Sequence, residues 1–311
     1  MRGRDDVYQS HFGMSRAPFR QSADPDRYFP ARGHEAALAE LRAAIEEGES
    51  LALLEAPPGM GKTLLGLLLV GSAAPHTRTV LLTNSHFDGP LSLTRSVLAD
   101  LGEPTLDDPR QQFVDSSLRH FTEGGGTLVI VDEAQNLDES SLEELRMWGN
   151  LEGPTGRAVQ VVLLALPSIA RCLASERLDA FRQRLVVRTR LDGLSSEESV
   201  ELLTRELRQS GVCPETVLTR EAGEVIATTS AGVPRVLYQL AHRAFRTAAE
   251  CEARQVDVEC VLEAAGQLGL ESQEPSPEVL PMPARDEATE EKQRTERPRR
   301  GGKRKTAGGE S

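Results

Sequence analysis

The fold is decided by residues 51–63, which read Leu-Ala-Leu-Leu-Glu-Ala-Pro-Pro-Gly-Met-Gly-Lys-Thr. The apolar run predicts a buried strand, and the turn after it ends in Gly61-Lys62-Thr63 before an apolar helix. In such a turn, backbone N–H groups and the positive end of the helix surround phosphates, a lysine reaches their outer oxygens, and a threonine hydroxyl holds Mg²⁺. The segment therefore predicts a nucleotide phosphate site. The alternative is a surface loop before an apolar helix.

This loop departs from the usual pattern at its first position. The pattern begins with glycine, whereas Ala56 stands there, so the turn must accommodate a Cβ atom. Two consecutive prolines after Ala56 stiffen the turn. The residues expected to contact the nucleotide in this loop are Ala56, Pro57, Pro58, Gly59, Met60, Gly61, Lys62, Thr63 and Leu64.

A second motif lies at residues 127–133, which read Thr-Leu-Val-Ile-Val-Asp-Glu after a triple-glycine turn. Such a continuous apolar run predicts a buried parallel strand, and acids at the carboxyl end of that strand lie where open α/β sheets bind ligands. We expect Asp132 to bind Mg²⁺ together with Thr63, and Glu133 to take a proton from the attacking water. The alternative is that both acids only cap the next helix.

Three more apolar runs predict the remaining strands of an α/β fold. They lie at residues 79–83, 159–165 and, more weakly, 186–191, so that five strands alternate with helices in a parallel sheet. One strand lies between the phosphate loop and the strand that ends in Asp132-Glu133. That order, with a glutamate directly after the aspartate, indicates the branch of P-loop NTPases that carries its own catalytic glutamate.

Four further motifs connect the chain to a known group. Residues 8–19 read Tyr-Gln-Ser-His-Phe-Gly-Met-Ser-Arg-Ala-Pro-Phe, and residues 131–137 read Val-Asp-Glu-Ala-Gln-Asn-Leu. Residues 181–185 read Phe-Arg-Gln-Arg-Leu, and residues 230–235 read Ser-Ala-Gly-Val-Pro-Arg. On these motifs the chain resembles the ExeA/general secretion pathway protein A group of AAA+ ATPases. This group is close to transposition ATPases of the TniB/TnsC kind and to origin-recognition ATPases.

The resemblance implies an ATP hydrolase that uses ATP and Mg²⁺ and assembles into a homo-oligomer on ATP binding. In AAA+ proteins one arginine reaches the γ-phosphate of the neighbouring subunit, and Arg182 and Arg184 are the candidates here. Arg235 resembles the sensor-2 arginine of its own subunit, on a lid helix that Pro234 begins. Each of these arginines has the alternative of a plain surface or helix-end residue. His11, His34 and Tyr28 are candidates to border the adenine.

Two positions bear on the rate of hydrolysis. The group carries a polar glutamine at the tip of the fourth strand, whereas this chain has Leu166 before Pro167, so the sensor-1 side chain is expected to be missing. Asn84, at the end of the second strand, is expected either to hydrogen-bond Glu133 and hold it inactive or to be an ordinary turn residue.

Three regions are expected along the 311 residues. Residues 1–194 form the AAA+ nucleotide-binding α/β domain. Residues 195–270 form an all-helical lid, because Ser195 begins a helix start and apolar residues recur at helical spacing. Residues 271–311 lack aromatic side chains and are rich in charge and proline, which predicts a disordered tail.

Composition excludes several other classes of protein. The four cysteines show no spacing suited to zinc, and they are expected to be reduced. Neither a signal peptide nor an apolar stretch long enough for a membrane is present, so a cytoplasmic protein is expected, and a role in secretion is not. The formal net charge is −12, although residues 297–305 form a basic block that is either solvated or a contact for an anionic partner.

The expected function is therefore ATP hydrolysis at an oligomer interface that remodels a protein partner whose identity the sequence leaves open. One alternative is an ATP-binding switch or scaffold that hydrolyses little, which Ala56 and Leu166 would permit. The other is a DNA-dependent ATPase of the transposition-regulator type, which DNA would stimulate in a salt-dependent way.

Overall fold

A five-stranded sheet, in which every strand pairs in parallel with its neighbours, lies at the centre of the protein. The computed structural model describes residues 6–154 and 156–270, and the predicted tail at 271–311 lies outside them. The predicted fold class is confirmed. The strands are β1 Leu51–Glu55, β2 Arg78–Leu82, β3 Thr127–Val131, β4 Glu152–Gly153, β5 Gly156–Arg157, β6 Val159–Ala165 and β7 Leu185–Arg190, with sheet order β2-β3-β6-β1-β7 and a separate antiparallel pair β4-β5.

The central strands are apolar on both faces because helices cover both sides of the sheet. Every residue of β1 and of β3 is buried, and so are six of the seven positions of β6. Alternate residues of each strand join two different clusters: Leu53 packs on one face, and Leu54 packs on the other. The edge strand β7 is different, since Val186 and Arg188 on it are exposed.

Helices connect the strands and fill the region after β7. None of the helices in the described part of the chain combines the length and the apolar character that a membrane span needs. The helices are α1 Asp6–Phe12, α2 Arg32–Glu46, α3 Lys62–Ser72, α4 Gly89–Asp100, α5 Pro109–Thr122, α6 Glu139–Trp148, α7 Ile169–Leu173, α8 Asp179–Arg184, α9 Ser196–Gln209, α10 Pro214–Val217, α11 Arg220–Thr229, α12 Pro234–Glu250 and α13 Val258–Leu268, with short 3-10 turns at Pro25–Arg27, Ala134–Asn136 and Glu176–Leu178.

Ser195 begins α9 as its sequence pattern predicts. The Ser195 hydroxyl accepts the Glu198 N–H at 3.1 Å, and the Glu198 carboxylate accepts the Ser195 N–H at 2.9 Å. The same carboxylate also accepts the Arg32 N–H at 2.8 Å, at the first residue of α2. These backbone donors lower the pKa of Glu198, which therefore joins the helical region to the α/β part as a carboxylate.

The chain before α2 packs against the helices that follow β7. Tyr8 and Phe19 are buried, and the Phe19 ring lies 5.6 Å from the ring of Phe245 and 6.0 Å from that of Tyr238. These residues share one apolar cluster with Leu203 of α9 and other residues of the helical region. Residues that precede the α/β core in sequence and residues that follow it build this cluster together. The expected domain boundary at residue 194 stays a prediction.

We predict that Phe19→Ala lowers the free energy of unfolding by about 3 kcal/mol, the usual cost of removing a buried aromatic ring. Phe19 is 4% exposed, whereas Leu106 is 62% exposed, so Leu106→Ala serves as a control and changes stability by about 0.5 kcal/mol or less. Urea unfolding followed by circular dichroism measures both. Equal stabilities of the two variants would contradict the packing described above.

Candidate active site

The pairing of β1, β3 and β6 brings their carboxyl ends to one edge of the sheet. Glu55 pairs with Ala165, and Val131 pairs with Leu163. The chain therefore leaves all three strands at neighbouring places, where the phosphate loop, the Asp132-Glu133 pair and Leu166 follow. This is the edge at which open α/β sheets bind their ligands.

The loop between β1 and α3 turns on two glycines. Gly59 has φ +82° and Gly61 has φ +90°, a region that residues with a side chain rarely adopt. Ala56 is not among the described residues with positive φ, so its Cβ causes no backbone strain. Ala56 is 1% exposed, and its N–H donates to Ala165 O at 3.0 Å. The loop accommodates alanine at this position because Ala56 continues the strand.

Lys62 is held inside the loop at the start of α3. Its Nζ donates to Ala56 O at 3.0 Å and to Pro57 O at 3.1 Å, and the residue is 5% exposed. Burial lowers the pKa of Lys62, while the negative charges of Glu133 and Asp132 oppose that shift. The buried ammonium group is therefore within electrostatic range of both acids of the second motif, and it lines the same cleft as Glu133.

Thr63, Asp132 and Glu133 are linked to one another. The Thr63 hydroxyl donates to Asp132 Oδ2, and Asp132 Oδ1 accepts the Glu133 N–H at 2.9 Å. A hydroxyl and a carboxylate are oxygen ligands of the kind that Mg²⁺ takes, together with water and substrate phosphates. The described residues hold no group of three or more His, Cys, Asp or Glu side chains suited to a metal ion. This donor set fits a Mg²⁺ ion that completes its coordination with phosphate and water oxygens.

The turn that carries Glu133 is fixed by hydrogen bonds. Glu133 has φ +52°, and its carbonyl oxygen accepts the Ser85 hydroxyl at 2.7 Å and the Asn136 N–H at 3.0 Å. Its carboxylate accepts the Gln135 amide N–H at 2.6 Å. Asn84 is exposed, and its Oδ1 accepts the His86 N–H at 3.2 Å. Of the two alternatives for Asn84, the structure therefore shows the ordinary turn residue. The side chain that contacts the Glu133 carboxylate is Gln135.

A cleft extends from the phosphate loop to the N-terminal segment and to the helices after β7. Nothing in the sequence pattern assigned Arg20, Arg27 or Phe29 to this cleft, because the chain folds back over a long separation to place them there. The lining includes Arg20, Arg27, Tyr28, Phe29, His34, Gly59, Lys62, Thr63, Glu133, Leu166, Leu202, Arg235 and Tyr238.

Arg235 contacts the phosphate loop directly. Its N–H donates to Gly59 O at 3.3 Å, and a Cβ atom built on Gly59 would lie 2.8 Å from the Cβ atom of Arg235. Glycine is thus required at position 59 both by its φ angle and by the close approach of α12. Pro234 occupies the first turn of α12, as predicted for a helix start.

The two remaining candidate arginines, Arg182 and Arg184, differ in their surroundings. Neither is among the described residues that line the cleft. The Arg182 guanidinium bonds to Asp179 and donates to Leu173 O and, at 2.8 Å, to Ser175 O. Arg184 is exposed at the end of α8, and its side chain has no hydrogen-bond or ion-pair partner among the described residues.

His34 supports the phosphate loop from α2. Its Nε2 donates to Met60 O at 2.9 Å, which places the proton on that nitrogen and leaves Nδ1 buried without a hydrogen-bond partner in the described structure. Burial lowers the pKa of His34, so the ring is neutral. His11 lies elsewhere and donates from Nε2 to Ala253 O at 2.7 Å, so of the three candidates for the adenine, His34 and Tyr28 line the cleft.

Comparison with known proteins relates this chain to a family and a fold. Residues 45–173 match the family model described as an AAA domain. The fold is that of the AAA+ ATPases. General secretion pathway protein A of Aeromonas hydrophila is 29% identical over 250 residues, which are 76% of this chain. The chain spans 44% of the length of that relative. The resemblance predicted from the sequence is thereby confirmed.

Two solved structures show the same AAA+ fold. The RuvB Holliday junction branch migration motor of Thermotoga maritima has a TM-score of 0.51 at 19% identity, covering 80% of this chain and 73% of that chain. Cdc6p from Pyrobaculum aerophilum has a TM-score of 0.62 at 14% identity, covering 83% of this chain and 70% of that chain. At these identities the likeness concerns the fold.

We predict that the neutral His34 makes stability depend on pH below about 6.5. In the unfolded chain the ring takes up a proton near that pH, whereas the folded protein keeps it neutral, so acidification favours unfolding. His34→Gln keeps an amide donor for Met60 O and removes the titration. Urea unfolding between pH 7.5 and 5.5 should show a smaller loss of stability in this variant than in wild type.

The exposed His86 provides the control. We expect His86→Gln to lose stability with acidification as wild type does. Parallel curves for wild type and His34→Gln would contradict the assignment of a neutral buried ring.

Proposed function

We propose that the protein binds ATP with Mg²⁺ and hydrolyses it at an interface between copies of the chain. The observation that supports this most is the convergence of four side chains from two separate motifs. Thr63 bonds to Asp132, Asp132 bonds to the Glu133 backbone, and the buried Lys62 lines the same cleft as Glu133 within electrostatic range of both acids. Helix capping or a solvated surface loop would not require a buried lysine at this place.

Each residue has a separate task in this proposal. Lys62 exchanges its bonds to the Ala56 and Pro57 carbonyls for the outer phosphate oxygens, so its charge is already desolvated when the phosphates arrive. Thr63 and Asp132 hold Mg²⁺, which when bound neutralises charge on the phosphates. Glu133 orients the attacking water and accepts its proton. Arg235 contacts the phosphates from α12.

We assign the arginine that acts on the neighbouring copy to Arg184. The Arg182 guanidinium is engaged with Asp179 and two backbone carbonyls, and freeing it would leave those acceptors without their donor. Arg184 is exposed and unpaired among the described residues, so it is available to an adjoining subunit. A ring or filament in which each copy completes the next site would follow from this arrangement.

The contact between α12 and the phosphate loop provides a route from hydrolysis to conformational change. Arg235 lies in the cleft, and its backbone N–H bonds to Gly59 of the loop. Loss of the γ-phosphate removes an anion that binds Arg235. The equilibrium between positions of the helices after β7 then shifts. A protein partner bound to those helices would be remodelled by this movement.

We predict that Glu133→Gln abolishes phosphate release while ATP binding is retained. The variant keeps the size and the backbone bonds of Glu133 but has no base for the water, so a loss of at least about 100-fold is expected. Phosphate release is measured over a range of protein concentrations, and binding is measured with a fluorescent ATP analogue. Specific activity of the wild type should rise with concentration as subunits assemble.

Other outcomes identify the alternative functions. Wild type and Glu133→Gln that bind ATP equally and release phosphate equally slowly would contradict hydrolysis and leave an ATP-dependent switch. Stimulation by duplex DNA that falls steeply with salt would favour a DNA-dependent ATPase over one driven by a protein partner.

We predict that Arg184→Ala lowers the rate about 1000-fold, the order expected for an arginine that acts in trans. Mixing Arg184→Ala with Glu133→Gln should restore phosphate release, because a mixed interface combines an intact Glu133 with an intact Arg184. Absence of recovery in co-assembled mixtures would contradict a role in trans. Arg182→Ala is the matched control. Its main effect should be a lower melting temperature, with a much smaller loss of rate than in Arg184→Ala.

A further inference from the structure

The side-chain amide of Gln135 joins two parts of the candidate active site. Its Nε2 donates to Glu133 Oε2 at 2.6 Å, and its Oε1 accepts the Leu166 N–H at 2.9 Å. The orientation of the amide is determined by its partners, since a carboxylate only accepts and a backbone N–H only donates. Gln135 therefore connects the acid after β3 with the residue after β6.

The backbone around Gln135 is fixed in place. Gln135 lies in the short 3-10 turn Ala134–Asn136, in which Ala134 is fully buried. The Asn136 side chain donates to the Ser85 hydroxyl at 3.3 Å, and Ser85 donates in turn to Glu133 O. The turn is thus hydrogen-bonded to the loop after β2, and the Gln135 side-chain amide is hydrogen-bonded to the residue after β6. Of the groups that Glu133 contacts in the described structure, Gln135 is the one that binds its carboxylate.

Leu166 lies where a polar side chain could contact Glu133, so the link through Gln135 provides a polar contact that the leucine side chain cannot. Its side chain lines the same cleft as Glu133 but has no atom that donates or accepts a hydrogen bond. The backbone N–H of Leu166 is a polar group at that place, and it reaches Glu133 through the Gln135 amide. A carboxylate on a long side chain adopts several rotamers unless a neighbouring group selects one of them.

We propose that Gln135 is a positioning residue that holds the Glu133 carboxylate toward the attacking water, with the Leu166 N–H as its anchor. This inference rests on the proposed hydrolysis of ATP and names the group that aligns its base. Gln135 performs the alignment that a polar side chain at position 166 would otherwise provide. Since only the water and the base depend on this alignment, its loss lowers kcat and leaves ATP binding intact.

Two variants separate positioning from a structural role. Gln135→Met has a similar length and makes neither hydrogen bond. Gln135→Glu retains an acceptor for the Leu166 N–H but has no donor for Glu133, and its negative charge repels the Glu133 carboxylate. We predict that both variants lower kcat by about 10- to 100-fold, a part of what a general base contributes, and change KM for ATP by less than about threefold.

A matched control removes the same kind of bond elsewhere. Gln111 Nε2 donates to Asp115 Oδ1 at 2.8 Å on the exposed side of α5, and Gln111→Met should keep wild-type kcat and KM. Rates are measured at a protein concentration at which wild-type specific activity is constant. The melting temperature of each variant is measured alongside.

The outcomes are distinct. Wild-type kcat in Gln135→Met, or a kcat that rises, overturns the inference, since Gln135 then does nothing or restrains Glu133. Full activity in Gln135→Glu overturns it as well, because hydrolysis would then not need the hydrogen bond from residue 135 to the Glu133 carboxylate. A fall in melting temperature with kcat and KM changed together shows a structural role. If wild type lacks hydrolysis that depends on Glu133, the proposed function itself fails, whereas an active wild type with active Gln135 variants rejects this inference alone.

Discussion

The parallel register of β1, β3 and β6 is the constraint on which the site depends. These strands are buried on both faces, so a shift of one residue would exchange the side chains of the two clusters and disrupt their close packing against the helices. With the register fixed, the chain leaves the three strands at adjacent places along one edge. The phosphate loop, the Asp132-Glu133 pair and Leu166 are neighbours for this reason, although they are far apart in sequence.

A buried lysine beside two acids follows from that placement. Removing an ammonium group from water is unfavourable, and the Ala56 and Pro57 carbonyls together with the charges of Asp132 and Glu133 offset the cost. The Lys62 ammonium group suits a polyanionic ligand, because bound phosphate oxygens would replace its two neutral carbonyl partners with full negative charges. Stability and ligand binding therefore use the same group in the same place.

The N-terminal segment and the helices after β7 close the other side of the cleft. Phe19 packs on Phe245, and Glu198 accepts the backbone N–H of Arg32 at the start of α2. Together with the contact of Arg235 on Gly59, these interactions connect the helical region to the loop that would hold the nucleotide. In the proposed function, these contacts would transmit a change in the ligand to elements on which a partner could bind.

The sequence by itself determined the sheet, the helix start at Ser195 and the loop that ends in Gly61-Lys62-Thr63. It succeeded there because strand burial, helix capping and the glycine-dependent turn of the loop each depend on residue types at short spacing along the chain. It also brought the Asp132-Glu133 pair to the correct edge of the sheet, since carboxyl ends of parallel strands share that edge.

Only the tertiary structure shows how the surroundings differ between residues whose local patterns are alike. Arg182 and Arg184 are two positions apart, and what separates them is that Leu173 O and Ser175 O lie within reach of Arg182. The link from Gln135 to Leu166 and the packing of Phe19 on Phe245 join residues far apart in the chain. Such contacts depend on the directions of side chains after the elements have packed, and short spacing in a sequence carries no information about them.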